Sequence, residues 1–151
     1  MTQPILEFQN VQVRVESRIL LDIPSFRLYA GEHLSLIGPN GSGKTTFLHL
    51  AACLRCTTFG HVAFRGQVVT ARNAASLRRH VAIVFQDPLL FSVNVLQNVA
   101  AGLRFQGINR AEAHHRALEF LTLFRVAHLA NRRPHGLSGG EAARVALARA
   151  F

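Results

Sequence analysis

The chain has 151 residues, enough for one domain with a core of its own. Hydrophobic residues make up 49% and charged residues 17%, no apolar run reaches the roughly 18 residues of a membrane span, and Met1-Thr2-Gln3-Pro4 has no leader pattern, so the chain reads as cytosolic. The formal charge is +9, from 17 basic and 8 acidic residues, but the arginines are scattered and adjacent only at Arg78-Arg79 and Arg132-Arg133, which fits a solvated surface and not a nucleic-acid stripe.

From Ile5 to Val15, the apolar residues Ile5, Phe8, Val11, Val13 and Val15 interleave with Glu7, Gln9, Gln12 and Arg14, a half-buried strand pattern. Ser17-Arg18 predicts a turn. Ile19-Leu20-Leu21 is a short apolar run, and Phe26-Arg27-Leu28-Tyr29 is another strand candidate. Gly31-Glu32 turns the chain into His33-Leu34-Ser35-Leu36-Ile37, predicted as a strand. The first part of the chain is therefore expected to be mostly antiparallel β.

Gly38-Pro39-Asn40-Gly41-Ser42-Gly43-Lys44-Thr45-Thr46 follows that strand and fits G-x-x-x-x-G-K-[ST]. The chemistry behind the pattern is phosphate capture. Gly38, Gly41 and Gly43 let the backbone fold tightly and turn successive N–H groups towards one anion. A helix starting near Gly43 adds the positive end of its dipole. Lys44 can reach the β- and γ-phosphates, and the Thr45 hydroxyl can ligate Mg²⁺. Lys44 is the one lysine among the 17 lysines and arginines, a compact ammonium kept where a point charge must sit among phosphates.

Thr46 to Ala52 reads as the helix leaving the loop. Cys53 and Cys56 then form C-x-x-C, without the thioredoxin context or second ligand pair that a redox or metal role needs. The eight histidines are dispersed, and the adjacent His114 and His115 point to different sides of a helix. Gly60 and Gly66 bracket His61-Val62-Ala63-Phe64, and Gln67-Val68-Val69 completes a hairpin. Residues 74–79 predict a short helix, and Val81-Ala82-Ile83-Val84-Phe85 a buried parallel strand that ends at Gln86-Asp87-Pro88.

From Ser92 the period changes. Val95, Leu96, Val99 and Leu103 recur at helical spacing up to Gly107, and Asn109 N-caps a second helix whose inner face is Ala113, Ala117, Phe120, Leu121 and Phe124. A short turn over residues 126–130 leads to Leu137-Ser138-Gly139-Gly140-Glu141. Ser138 and Glu141 form a capping box ahead of a strong helix former run, Ala142 to Ala150. Two glycines in a first turn weaken a helix, but they allow bare backbone N–H groups to approach an anion.

Together, the phosphate loop, a glutamine after an apolar run, a helical insertion and an L-S-G-G-[QE] helix start resemble the ATP-binding cassette (ABC) ATPase family, over essentially the whole chain. The resemblance implies an α/β fold: a P-loop NTPase core with an N-terminal antiparallel β subdomain and an inserted α-helical subdomain. Residues 1–151 would form a single incomplete nucleotide-binding domain, with residues 1–91 as β subdomain and core, 92–136 as helical subdomain and 137–151 as signature helix.

It implies ATP and Mg²⁺ as ligands. Gly38, Pro39, Asn40, Gly41, Ser42, Gly43, Lys44, Thr45 and Thr46 would hold the phosphates, with Thr45 and Gln86 on the metal and Gln86 sensing the attacking water. Ser138, Gly139, Gly140 and Glu141 would meet the nucleotide of a second subunit, head to tail. The edge Leu89 to Leu96 would receive a short helix of a transmembrane permease. The likeness is to bacterial importers, at the cytoplasmic face of the inner membrane, working indirectly with a solute-binding protein. The stretches Gln86 to Phe91 and Leu137 to Ala150 look like those of tungstate- or molybdate-class oxyanion importers.

The chain departs from the family pattern in two places. The position that usually stacks an aromatic on adenine falls near Val15, which offers no π-face. The strand carrying the metal-ordering Asp and the water-polarising Glu, and the switch His, have no counterpart. Asp22 precedes the phosphate loop and Asp87 follows Gln86. The chain is therefore expected to be a piece lacking the C-terminal core strands, able to hold phosphates but poor at hydrolysis. The alternative is a soluble ABC ATPase acting on DNA or ribosomes, against which residues 87–137 show no sustained heptads. A small-molecule kinase or GTPase would leave L-S-G-G unexplained.

Overall fold

The computed structural model describes residues 3–151, so the reading of Met1-Thr2 lies outside the described residues. The chain divides into two compact units, one up to Val81 and one from Ala82 to Phe151.

The first unit is built on a four-stranded antiparallel sheet, β1 (Leu6–Val15), β2 (Arg18–Leu28), β3 (Phe59–Phe64) and β4 (Gln67–Val68), in the order β2-β1-β3-β4. Alternation in β1 buries Leu6, Phe8, Val11 and Val13 on one face. Glu16-Ser17 closes the first hairpin, with Glu16 at φ 54. The two apolar runs expected after it are one continuous strand, because β1 offers a partner along the whole length from Arg18 to Leu28.

Helix α1 (Lys44–Ala51) covers the buried face with Phe47 and Leu50. Phe47 stacks on Phe8 with ring centroids 4.8 Å apart, and Phe26 meets both rings edge-on at 5.3 and 5.7 Å. Such aromatic packing anchors the body of α1 on the sheet and leaves its N-terminus free to present the glycine loop. Gly60, at φ 68, passes so close to β1 that a Cβ there would overlap the Asn10 carbonyl; the β1–β3 register shifts at that point. The expected short helix is α2 (Ala74–Leu77), continued by a 3-10 turn at Arg78–His80.

The second unit is helical. α3 (Val95–Phe105), α4 (Arg110–Leu123) and α5 (Gly139–Ala150) share one core of Val95, Val99, Leu103, Ala113, Leu121 and Val145. Asn94 and Asn109 cap α3 and α4, each side chain accepting from the N–H three residues on. Gly107 ends the first helical segment at φ 89.

Two sequence expectations do not hold. His33–Ile37 and Val81–Phe85 carry strand patterns, but neither joins a ladder. Ile37 is 95% exposed, and Val84 and Phe85 are exposed as well. An apolar run becomes a strand only where a neighbour supplies the other half of each hydrogen bond, and no strand among the described residues pairs with either segment.

Candidate functional site

The glycine loop lies between residues 37 and 44. Gly41 and Gly43 sit at φ 82 and φ 89, where a side chain is strained. Ser42 N donates to the Pro39 carbonyl at 3.3 Å, tightening the turn. Lys44 folds back over it: Nζ donates to the Gly38 carbonyl at 2.8 Å and the Pro39 carbonyl at 2.7 Å, with Ser42 Oγ at 3.5 Å. The ammonium is thus fixed among backbone oxygens at the first residue of α1.

That helix start has no side-chain cap and no acidic residue in its first turn. Its first intrahelical bond runs from Phe47 N to the Gly43 carbonyl, so the N–H groups of Lys44, Thr45 and Thr46 have no intrahelical acceptor. A cation, an uncapped helix N-terminus, the exposed Thr45 and the half-exposed Thr46 make a site suited to an oligophosphate. Val15 stands at the hairpin end of β1, opposite Arg18 and 45% exposed. Asp22 lies on β2 and accepts from Gln12 Nε2 at 2.9 Å, away from a metal-ligating role.

In the second unit, Ser138 and Glu141 form the capping box expected from the sequence. Ser138 N and Oγ donate to Glu141 Oε2 at 2.7 and 2.8 Å, and Ser138 Oγ accepts from Glu141 N at 3.4 Å. These bonds, first the one from the Ser138 backbone N–H, hold the Glu141 carboxyl below its ordinary range. Gly139 and Gly140 are exposed, and a Cβ on either would meet nothing within 4 Å. Neither glycine is needed for packing; both leave helix-end N–H groups open to solvent.

Gln86 and Asp87 are exposed in the segment ahead of α3. The Leu89–Leu96 edge borders an apolar groove of about 590 Å³ lined by Phe91, Val93, Ala100 and Phe105, with Arg104, Arg110 and His114 among its polar lining. Sequence reasoning missed Asn98, the one buried polar residue among the described residues, and Arg149. The available signal for Asn98 was an amide set among Val95, Val99 and Leu103 on the inward face of α3.

Cys53 is buried, which raises its thiol pKa, and Cys56 is exposed; both are free thiols. Among the described residues, no cluster of three or more His, Cys, Asp or Glu could hold a metal ion, and no helix is long and apolar enough to cross a membrane.

Residues 21–151 match the ABC transporter family. The chain is 37% identical over 149 residues to a spermidine/putrescine import ATP-binding protein of Aggregatibacter actinomycetemcomitans, covering 98% of this chain and 40% of that protein. It is 42% identical over 151 residues to a sulfate/thiosulfate import ATP-binding protein of Bradyrhizobium diazoefficiens, covering 97% and 43%. The chain thus spans about two fifths of the length of these curated relatives. Among solved structures it is similar to a dimeric ATP-binding cassette in a post-hydrolysis state bound to ADP and Pi, with a TM-score of 0.87 and 31% identity over 97% of this chain and 68% of that one. The chain belongs to the ABC transporter family and has the α/β cassette fold, with its antiparallel N-terminal sheet and helical part.

Proposed function

We propose that this member of the ABC transporter family is the nucleotide-binding part of an importer's ATPase subunit. The observation that carries the reading is Lys44, whose Nζ is held at 2.7–2.8 Å by the Gly38 and Pro39 carbonyls while its own N–H opens an uncapped helix. A triphosphate entering the loop exchanges these carbonyls for phosphate oxygens and takes up the free N–H groups of α1.

Gly38 to Thr46 hold the phosphates. Thr45 and Gln86 would hold Mg²⁺, a hard cation that takes oxygen ligands. The metal's chemistry is to neutralise charge on the β- and γ-phosphates. Gln86 would also orient the attacking water. Val15 supplies apolar contact to the base. Ser138, Gly139, Gly140 and Glu141 form the second anion contact, offered to nucleotide on another cassette, so ATP closes a head-to-tail pair. No residue of this chain is assigned to polarise the attacking water.

The groove beside Phe91 accepts a helix of the permease at the cytoplasmic face of the membrane, and a solute-binding protein acts through that permease. The solute we propose is an oxyanion of the tungstate or molybdate class; the likeness to a sulfate/thiosulfate import protein supports that class. A DNA-directed ABC ATPase is disfavoured, since α3 and α4 have 11 and 14 residues and form no long coiled coil.

The test is fluorescent-ATP titration of the wild type and Lys44→Ala. Loss of binding in the variant is expected, by about 100-fold or more. Unchanged affinity would overturn the assignment of the loop.

A further inference from the structure

The segment between Gln86 and α3 is held from two sides. Arg149, in the last turn of α5, donates from Nη1 to the Leu89 carbonyl at 2.9 Å and from Nη2 to the Pro88 carbonyl at 3.1 Å. Its guanidinium also lies over the Phe91 ring, 5.6 Å from the centroid. Leu89 sits at φ 43, a conformation a leucine adopts only under constraint. From α3, the fully buried Asn98 accepts from Phe91 N at 2.7 Å and donates to the carbonyls of Phe91 at 3.0 Å and of Val93 and Asn94 at 3.1 Å each.

Phe91 is the residue both clamps share. Its backbone belongs to Asn98, its ring is covered on one side by Arg149, and the same ring walls the groove. Behind it, α3 and α5 approach closely, since a Cβ on Gly102 would lie 3.5 Å from the Arg149 carbonyl. Neither Arg149 nor Asn98 is explained by helix formation. An arginine partly buried without a carboxylate forgoes hydration, and a buried amide exchanges water for backbone partners, its two amide hydrogens shared among three carbonyls. What those bonds secure is the position of one groove-wall residue relative to α5.

We propose that Arg149 is a positioning residue that couples the Phe91 wall of the groove to α5, so that a helix seated in the groove biases the helix bearing Ser138, Gly139 and Gly140. Asn98 makes the coupling stiff by fixing Phe91 to α3. Displacement of the Phe91 ring then cannot be absorbed locally and passes to Arg149 through the guanidinium lying over that ring, while the bonds to Pro88 and Leu89 hold the guanidinium on the same segment. This deepens the reading above and rests on it for the roles of the groove and of α5.

Amide hydrogen exchange on the purified chain tests the coupling without any partner. Wild type, Phe91→Ala, Arg149→Ala, Arg149→Lys and the Phe91→Ala/Arg149→Ala double variant are compared over residues 89–94 and 143–150. Phe91→Ala and Arg149→Ala should each speed exchange in α5 by about five-fold or more, with the double variant no faster than either single one. Arg149→Lys should not restore wild-type rates, because one ammonium cannot bridge both carbonyls and stack on the ring. It also keeps the test open should Arg149→Ala fail to fold. Additive effects, no response of α5 to Phe91→Ala, or full rescue by lysine would each overturn the proposal. Fluorescent-ATP binding measured on the same samples reports separately on the nucleotide reading, so a chain that shows the coupling but binds no ATP keeps the relay and loses the ATPase role.

Discussion

The Cα of Gly43 faces the Leu20 carbonyl so closely that a methyl group there would lie 2.8 Å from that oxygen, and 3.0 Å from Leu21 Cδ1. The last glycine of the phosphate loop is thus fixed by strand β2 as well as by its own φ of 89. Gly43→Ala is expected to destabilise the first unit by about 2 kcal/mol and to push the start of α1 away from the loop. Urea unfolding gives the stability change, and ATP titration should show an affinity loss of about ten-fold or more.

The aromatic cluster of Phe8, Phe26 and Phe47 sets where α1 points. Phe47→Ala removes both the stacked and an edge-on partner and leaves a cavity against the sheet. The expected cost is about 3–5 kcal/mol, read as a lowered unfolding midpoint, with weaker ATP binding because the loop is carried on the same helix.

Gly140 has the opposite balance. A Cβ there meets nothing, so Gly140→Ala fits sterically and should leave stability unchanged or raise it by about 0.5 kcal/mol. On the proposed function it obstructs the approach of a second cassette's nucleotide, so ATP-dependent self-association, measured by sedimentation, should be lost. Association that survives would remove α5 from the nucleotide contact.

The Glu141 carboxylate is stabilised by Ser138, so its pKa is depressed in the folded chain. Its contribution to the cap is complete above the ordinary glutamate value of about 4.3 and disappears as the pH falls through the lower folded value. Glu7 is depressed too, chiefly by the Gln9 side chain and then by Arg27, so acid weakens the sheet as well. The difference between wild type and Glu141→Gln isolates the cap. Glutamine keeps an acceptor at all pH values, so the wild type should lose α5 protection on acidification while the variant does not. Amide exchange over residues 141–150 between pH 3 and 6 would measure it.

Local chemistry wrote much of the molecule into the sequence. Alternation gave β1, glycines at residues 60 and 66 gave the β3–β4 hairpin, Asn109 and Ser138 gave two helix starts, and the tight glycine turn ahead of α1 was legible in the spacing from Gly38 to Thr46. Each of these depends on a residue and its near neighbours. The single long β2, split in the sequence by Asp22, Pro24 and Ser25, was not legible because it depends on pairing with β1.

What the sequence determined alone is the chemistry of the two glycine-bearing helix starts, since backbone N–H groups, a capping hydroxyl and one lysine act over a few ångströms of chain. Tertiary structure decided which apolar runs become strands: β2 pairs with β1, whereas residues 33–37 and 81–85 join no ladder among the described residues, and hydrogen bonds between strands need two sides. It also decided that Arg149, sixty residues from Leu89, holds that loop in place. A guanidinium finds its acceptors in space, and no spacing along the chain records them.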